Sequence, residues 1–306
     1  MKSFKTLLFS LIFSALLWQC EDVDTIISET PAPTTSEKLN ALFDEALTSE
    51  KMYAHFNSSN PNFVFTTPKG TNVTINGTCL RLDGAPVTGT VILEFAEFFD
   101  RAKMAASNKP TMGILPNGDQ EMLLSGGEFF IDVKKDGKSL TTTCPIQIET
   151  PTSNTGGTVS GMVAFNGVIK NGNLTWERAN TWEVFTNTQK NTYSLNIPGF
   201  GWFNCDKFYG YPEPKTTITA NVPTGYADKS QVYLLTKNVP NSLGTIYGKF
   251  PVGLDCYLVF VTENNGNYMW ITKEQKLTAN HTITFDLKEA KSGKKKDYVG
   301  HVTLLK

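Results

Sequence analysis

Histidine, the usual general base, is scarce: only His55, His281 and His301 occur among 306 residues. None sits beside a nucleophile-elbow pattern such as GxSxG. In "LLSGGE" (123–128) Ser125 precedes its glycines, and no strand-to-helix turn follows. The cysteines form no CxxC pair, which argues against zinc-ribbon and redox motifs. The oxygen-rich strings "PNGDQE" and "ENNGN" lack the spacing of a calcium loop and are expected to be hairpin turns, so no metal or cofactor is expected. A strong charge of either sign is missing as well. With 28 Lys and Arg against 29 Asp and Glu, the chain gives no electrostatic reason to expect nucleic acid as a partner. After the first twenty residues no segment approaches eighteen consecutive apolar residues, the length that reads as a membrane-spanning helix.

One apolar run does occur, "LLFSLIFSALLWQCEDVD" (7–24). Lys2 and Lys5 precede it, Leu7 to Leu17 form its core, and it is too short to span a hydrocarbon layer of about 30 Å, so it reads as a targeting segment. An ordinary secretory site has small residues before the cut, whereas this run ends in Leu16, Leu17, Trp18 and Gln19. Cys20 stands at the break. Leu17, three residues before Cys20, resembles a bacterial lipobox, although Gln19 stands where Gly, Ala or Ser is usual. The acids Glu21, Asp22 and Asp24 resemble the surface-export signal of Bacteroidota lipoproteins. The resemblance implies lipidation at Cys20, a membrane partner reached through N-terminal acyl chains, and display on the bacterial outer membrane. Each buried methylene would add about 0.8 kcal/mol to such a tether.

The expected organisation is a signal peptide over 1–19, a Pro- and Thr-rich spacer over 20–35, an amphipathic helix over 36–57, a first β-sandwich over 58–152 and a second β-rich domain over 153–306. Ser36 is the expected helix cap, and Leu39, Leu42, Phe43, Ala46 and Leu47 recur at helical spacing. His55 is expected at the end of that helix. Elsewhere helical periodicity is nearly absent. β-Branched and aromatic runs are broken at Lys69-Gly70, Asn76-Gly77, Asp83-Gly84, Asp136-Gly137 and Asn171-Gly172, the spacing of short sandwich strands. The fold class is therefore mainly β, two sandwich-like domains in tandem, divided at "ETPTSNTGGT" (149–158).

"LDGAPVTGTVILEFAEFFDRAKM", "NKPTM", "LLSGGEFFIDVKKDGKSL" and "CPIQIETPT" resemble a β-sandwich of uncharacterised Bacteroidota lipoproteins, related in style to carboxypeptidase-regulatory-like modules. "GWFNCDKFY" (201–209) resembles a Trp-x-Asn-Cys-Asp signature that follows this sandwich in the same proteins, and is expected to form a structural corner with Trp202 and Cys205 inward. The resemblance spans roughly residues 62–270 and implies no activity.

Apart from Cys20, the four cysteines Cys79, Cys144, Cys205 and Cys256 form an even set in a chain bound for an oxidising compartment. Of three connectivities, the domain division favours Cys79 with Cys144 and Cys205 with Cys256. Glu94, Glu97, Glu128 and Asp132 could assemble a carboxylate pair for glycosidic cleavage, but strand alternation places them on a solvated sandwich face. "KEAKSGKKKD" (288–297) reads as an exposed turn. The Asn-x-Ser/Thr strings at Asn57, Asn72, Asn76, Asn173 and Asn280 are expected by chance in so Asn- and Thr-rich a chain. The densest feature is the aromatic cluster around residues 200–211, from which Trp202, Tyr209 and Tyr211 form the candidate ligand surface for a glycan or protein. The expected function is a lipid-anchored, non-enzymatic binding or structural module, with a surface hydrolase of polysaccharide or peptide as the alternative.

Overall fold

The computed structural model describes residues 25–26, 34–170 and 173–306. Cys20, the signal segment and most of the spacer lie outside the described residues.

Helix α1 (Ser36–Glu50) buries Leu39, Leu42, Phe43 and Ala46 along one stripe. Thr35, not Ser36, caps it, its hydroxyl accepting from the Lys38 N–H at 3.2 Å. The helix stops at Glu50 rather than at residue 57, because from Met52 onward the apolar period falls from 3.6 to 2. Strand β1 (Met52–Asn57) takes over, and His55 lies exposed on it rather than on the helix.

The architecture is mainly β. In chain order the strands that build it are β2 (Phe63–Thr66), β3 (Asn72–Ile75), β4 (Thr90–Phe98), β5 (Met112–Ile114), β6 (Gln120–Lys135), β7 (Ile146–Pro151), β8 (Val163–Lys170), β9 (Asn173–Arg178), β10 (Val184–Asn187), β11 (Thr192–Ile197) and β12 (Gly201–Phe208). They continue as β13 (Ser230–Thr236), β14 (Gly244–Thr245), β15 (Asp255–Asn264) and β16 (Asn267–Lys276). Helices α2 (Arg101–Ala106) and α3 (Lys295–Leu304) complete the set.

A central sheet runs β12-β8-β9-β5-β6-β4-β1, and a further pairing of β12 with β6 closes five of these strands into a ring. Leu123, Phe165, Leu174 and Trp176 pack as one cluster on the strands of that ring. An outer sheet, β10-β11-β7-β3-β2, covers one face of the central sheet, where Val91, Leu93, Phe95, Phe129, Ile131 and Phe203 meet Val73, Ile75, Ile146, Ile148 and Leu195. On the opposite face Ala96, Phe98, Phe130 and Trp202 meet the three helices, which pack in turn on Tyr233, Val259, Val261, Tyr268 and Trp270 of the C-terminal sheet. That sheet carries β14, β13, β15 and β16 side by side.

The helices thus glue two β bodies together, and the expected division at 152/153 is incorrect. β7 pairs with β11 through six residue pairs, and β6 pairs with β12, so both sheets of the first body draw strands from each side of that boundary. Within "ETPTSNTGGT" residues 149–151 are the end of β7, Thr152–Thr155 form a 3-10 turn, and Gly156 and Gly157, at φ 89° and 121°, open the connection that carries the chain from one sheet to the other within one sandwich. Composition marked a turn there, and a turn need not end a domain. The lysine-rich stretch 288–297 is also no simple turn, since α3 starts within it and Lys295 pairs with Glu50 at 2.5 Å.

Candidate functional site

The candidate carboxylates are buried, contrary to the solvated face expected from alternation. A sheet covered on both sides leaves neither set of alternate residues in water, and "VILEFAEFF" is the near-continuous apolar run such a strand requires. Glu94 is held by Lys134 at 2.7 Å and Lys51 at 3.0 Å. Burial would raise its pKa, but the two ammonium groups win and hold it below the usual carboxylate range. Asp132 accepts from the Ser139 hydroxyl at 2.7 Å. Glu97 faces the opposite way, and burial, only partly offset by Thr71 and Thr67, pushes its pKa up.

Glu128 lies at a different kind of place. Asn204 pairs with Glu128 and Asp206 with Ser125, so three steps along β6 span two along β12. That is a β-bulge. The glycine doublet makes it sterically workable: a Cβ on Gly126 would come 2.7 Å from the Cys205 carbonyl oxygen, and Gly127 sits at φ 140°. Around the bulge Asn204 Nδ2 donates to Asp206 Oδ2 at 2.7 Å, and Gly126 N–H donates to Asp206 Oδ1 at 3.3 Å. The Ser125 N–H donates to the Ser242 hydroxyl at 3.3 Å, and Asn241 Nδ2 donates to the Ser125 carbonyl. The bulge is thereby tied to the second body.

Glu128 and Asp206 are both at 0% exposure. Burial pushes Glu128 well up, the Asp206 charge adds to this, and Lys109 opposes it. Burial likewise raises Asp206 well above its ordinary value, against hydrogen bonds from Ser125, Gly126 and Asn204. Neither Glu128 oxygen has a hydrogen-bond partner among the described residues. Burial thus favours the protonated form of both acids. Sealed from solvent, they offer a substrate no approach as they stand.

The signature residues therefore occupy a strand paired on both edges, by β6 and β8, and not a corner. Trp202 is half-buried among Phe98, Phe130 and Trp176, with ring centroids at 6.1, 5.2 and 6.5 Å. Tyr211 is 5% exposed and shares a 3.1 Å hydrogen bond with Thr236. Of the candidate ligand surface only Tyr209, 36% exposed, remains accessible; Trp202 and Tyr211 are packing residues. The aromatics were dense because they sit where two bodies meet.

Cys79 and Cys144 form a disulfide, whereas Cys205 and Cys256 are free and buried, so the pairing expected for them is incorrect. They belong to different bodies: Cys205 packs between the central and outer sheets, Cys256 in the core of the C-terminal body. Burial raises both thiols, Cys256 to about 12. His281 Nδ1 lies 3.2 Å from the Thr278 N–H, which donates to it, and His301 Nε2 lies 2.9 Å from the Thr272 hydroxyl. Among the described residues no three His, Cys, Asp or Glu side chains gather as a metal site would require.

An open cleft of about 440 Å³ lies instead where β5, β8 and β9 of the first body face β13 and β14 of the second. Gln120, Asn173, Thr175, Gln231, Thr245 and Tyr247 give it amides, hydroxyls and one ring. Asn173 Oδ1 accepts from Asn108 Nδ2 at 3.2 Å and from Gln231 Nε2 at 3.3 Å, which fixes this amide between the two bodies. Tyr247 is 69% exposed. Lys170, the one charged side chain lining the cleft among the described residues, is paired with Glu177 at 2.7 Å. Sequence reasoning missed this site because its residues come from separate segments; Asn173 was noticed only within an Asn-x-Thr string.

No protein-family model and no curated protein matches the chain. Among the described residues no helix is long and apolar enough to cross a membrane.

Proposed function

We propose that this is a lipid-anchored cell-envelope protein of the Bacteroidota surface-lipoprotein type, tethered through Cys20 to the outer membrane, and that its folded part is a non-enzymatic binding module. The neutral cleft carries the binding reading. Fixed amides and hydroxyls supply directional donors and acceptors, and the exposed Tyr247 ring offers a flat apolar face. That combination suits a neutral glycan, whose hydroxyls take the polar groups while a sugar face stacks on the ring. The positions of the acids favour binding over hydrolysis: Glu94 is neutralised by two lysines, and Glu128 and Asp206 are sealed.

The tether is tested by detergent partitioning and labelled fatty-acid uptake, in which the parent protein should label and Cys20→Ser should not. Equal labelling would refute it. The module is tested by affinity electrophoresis through neutral polysaccharides. At least one should retard the parent protein, and Tyr247→Ala should lose most of that retardation while keeping the parent's melting temperature. Retardation unchanged by Tyr247→Ala, or none on any gel, would overturn the cleft as the site.

A further inference from the structure

On the far side of the helical layer a second cavity, of about 660 Å³, opens between α2, the loop 238–240 and the end of α3. Ala102, Val239, Pro240, Val299 and Leu305 make its walls largely apolar. Arg101 lines it too and is only 4% exposed. Its guanidinium donates to the carbonyls of Thr236 at 2.7 Å and Val239 at 3.2 Å, and to that of Leu305. Those contacts satisfy hydrogen bonds and hold the group in place, but they supply no negative charge. Among the described residues no carboxylate forms an ion pair with Arg101. Asp100 and Lys103 line the cavity as well, but the Asp100 carboxylate is turned to the Lys103 N–H at 2.9 Å and the Lys103 ammonium is taken by Glu50 at 2.7 Å, so neither serves Arg101. A buried cation without a counter-charge is costly, and in most interiors it is paired.

We propose that this cavity binds a small anionic amphiphile, an acyl chain ending in a carboxylate, whose head pairs with Arg101 while the chain lies against the apolar walls. The guanidinium is a planar fork suited to a carboxylate, and the carbonyl contacts orient it before any ligand arrives. An apolar occupant without charge would leave the cation unmatched, and a cationic one would be repelled by Arg101 and by Lys306 at the rim.

The test titrates the full-length protein with dodecanoate, dodecanol and dodecyltrimethylammonium, each below its aggregation concentration, by calorimetry. Dodecanoate should bind at least tenfold more tightly than the other two. Thr303 is exposed on α3 and lines the mouth, so Thr303→Trp should weaken dodecanoate binding at least tenfold while leaving the melting temperature unchanged. Arg101→Gln should abolish the preference for the anion; if that variant fails to fold, the Thr303→Trp comparison decides. Equal binding of the three chains, undiminished binding by Thr303→Trp, no binding of dodecanoate, or a dimer that dissociates as dodecanoate is added would each overturn the proposal. The last result would assign the pocket to a second copy of the chain.

Discussion

Replacing Glu128 by glutamine should make the protein's stability less dependent on pH. Glu128 and Asp206 share one face of the bulge at 0% exposure, and burial raises both carboxyls well above their ordinary values, with Lys109 opposing this at Glu128. An acid whose folded pKa exceeds its unfolded value, about 4.3 for Glu and 3.9 for Asp, keeps a proton in the native state that the unfolded chain releases. Its contribution is therefore fully present below about pH 4 and declines as pH rises through the window up to the folded pKa. Within that window each such acid removes up to about 1.4 kcal/mol per pH unit. Glu128→Gln takes away one titrating group at nearly constant volume, and neither carboxylate oxygen surrenders a hydrogen bond, since neither makes one among the described residues. Urea unfolding from pH 5 to pH 8 should show the variant's stability falling less steeply than the parent's, so that the difference moves in the variant's favour as pH rises. The refuting result is also specific. If Glu128 were instead ionised and balanced by Lys109, removing its charge would strand a buried ammonium and cost about 3–5 kcal/mol, most of all at high pH.

Trp202→Ala should cost about 3–5 kcal/mol by opening a hole among Phe98, Phe130 and Trp176. Tyr211→Ala should cost about as much, whereas Tyr209→Ala should change stability by only a few tenths, and equal melting temperatures for all three variants would refute the packing described. The protein's thiols give a further check: with Cys20 replaced by serine, denatured protein should show two free thiols per chain and native protein almost none within minutes of adding an aromatic disulfide reagent. Four free thiols, or none, would contradict the connectivity. Reducing the Cys79–Cys144 bridge, 65 residues apart, should lower stability by about 4 kcal/mol on a chain-entropy account.

Local signals were readable where a backbone requirement is written in two residues. Asp83-Gly84 and Asp136-Gly137 both adopt positive φ at each residue, as tight hairpins demand, and the strands they join are β in the structure. The stripe of Leu39, Leu42, Phe43 and Ala46 was readable for the same reason, since i, i+3 and i+4 share one helical face. What stayed hidden depends on who packs against whom. The acids of β4 and β6 read as those of a half-solvated sheet, but Glu94, Glu128 and Asp132 lie on the face under the helical layer and Glu97 on the face under the outer sheet, so both coverings bury the set. "LLSGGE" showed two glycines but not the bulge, because the steric need comes from the Cys205 carbonyl about eighty residues away. The four cysteines were even in number, yet two lie in different cores. The cleft is assembled across two bodies, and no single stretch carries its pattern.

The central claim is that the cleft between the two bodies holds a neutral glycan and leaves it chemically unchanged. It is tested most directly by hydrogen–deuterium exchange on the full-length protein with and without the polysaccharide that retards it, followed by mass spectrometry of the recovered glycan. The account predicts slowed exchange confined to peptides from 110–120, 173–178, 230–236 and 244–250, with the glycan returned at its original length. Slowed exchange centred elsewhere, or a shortened glycan, would contradict it.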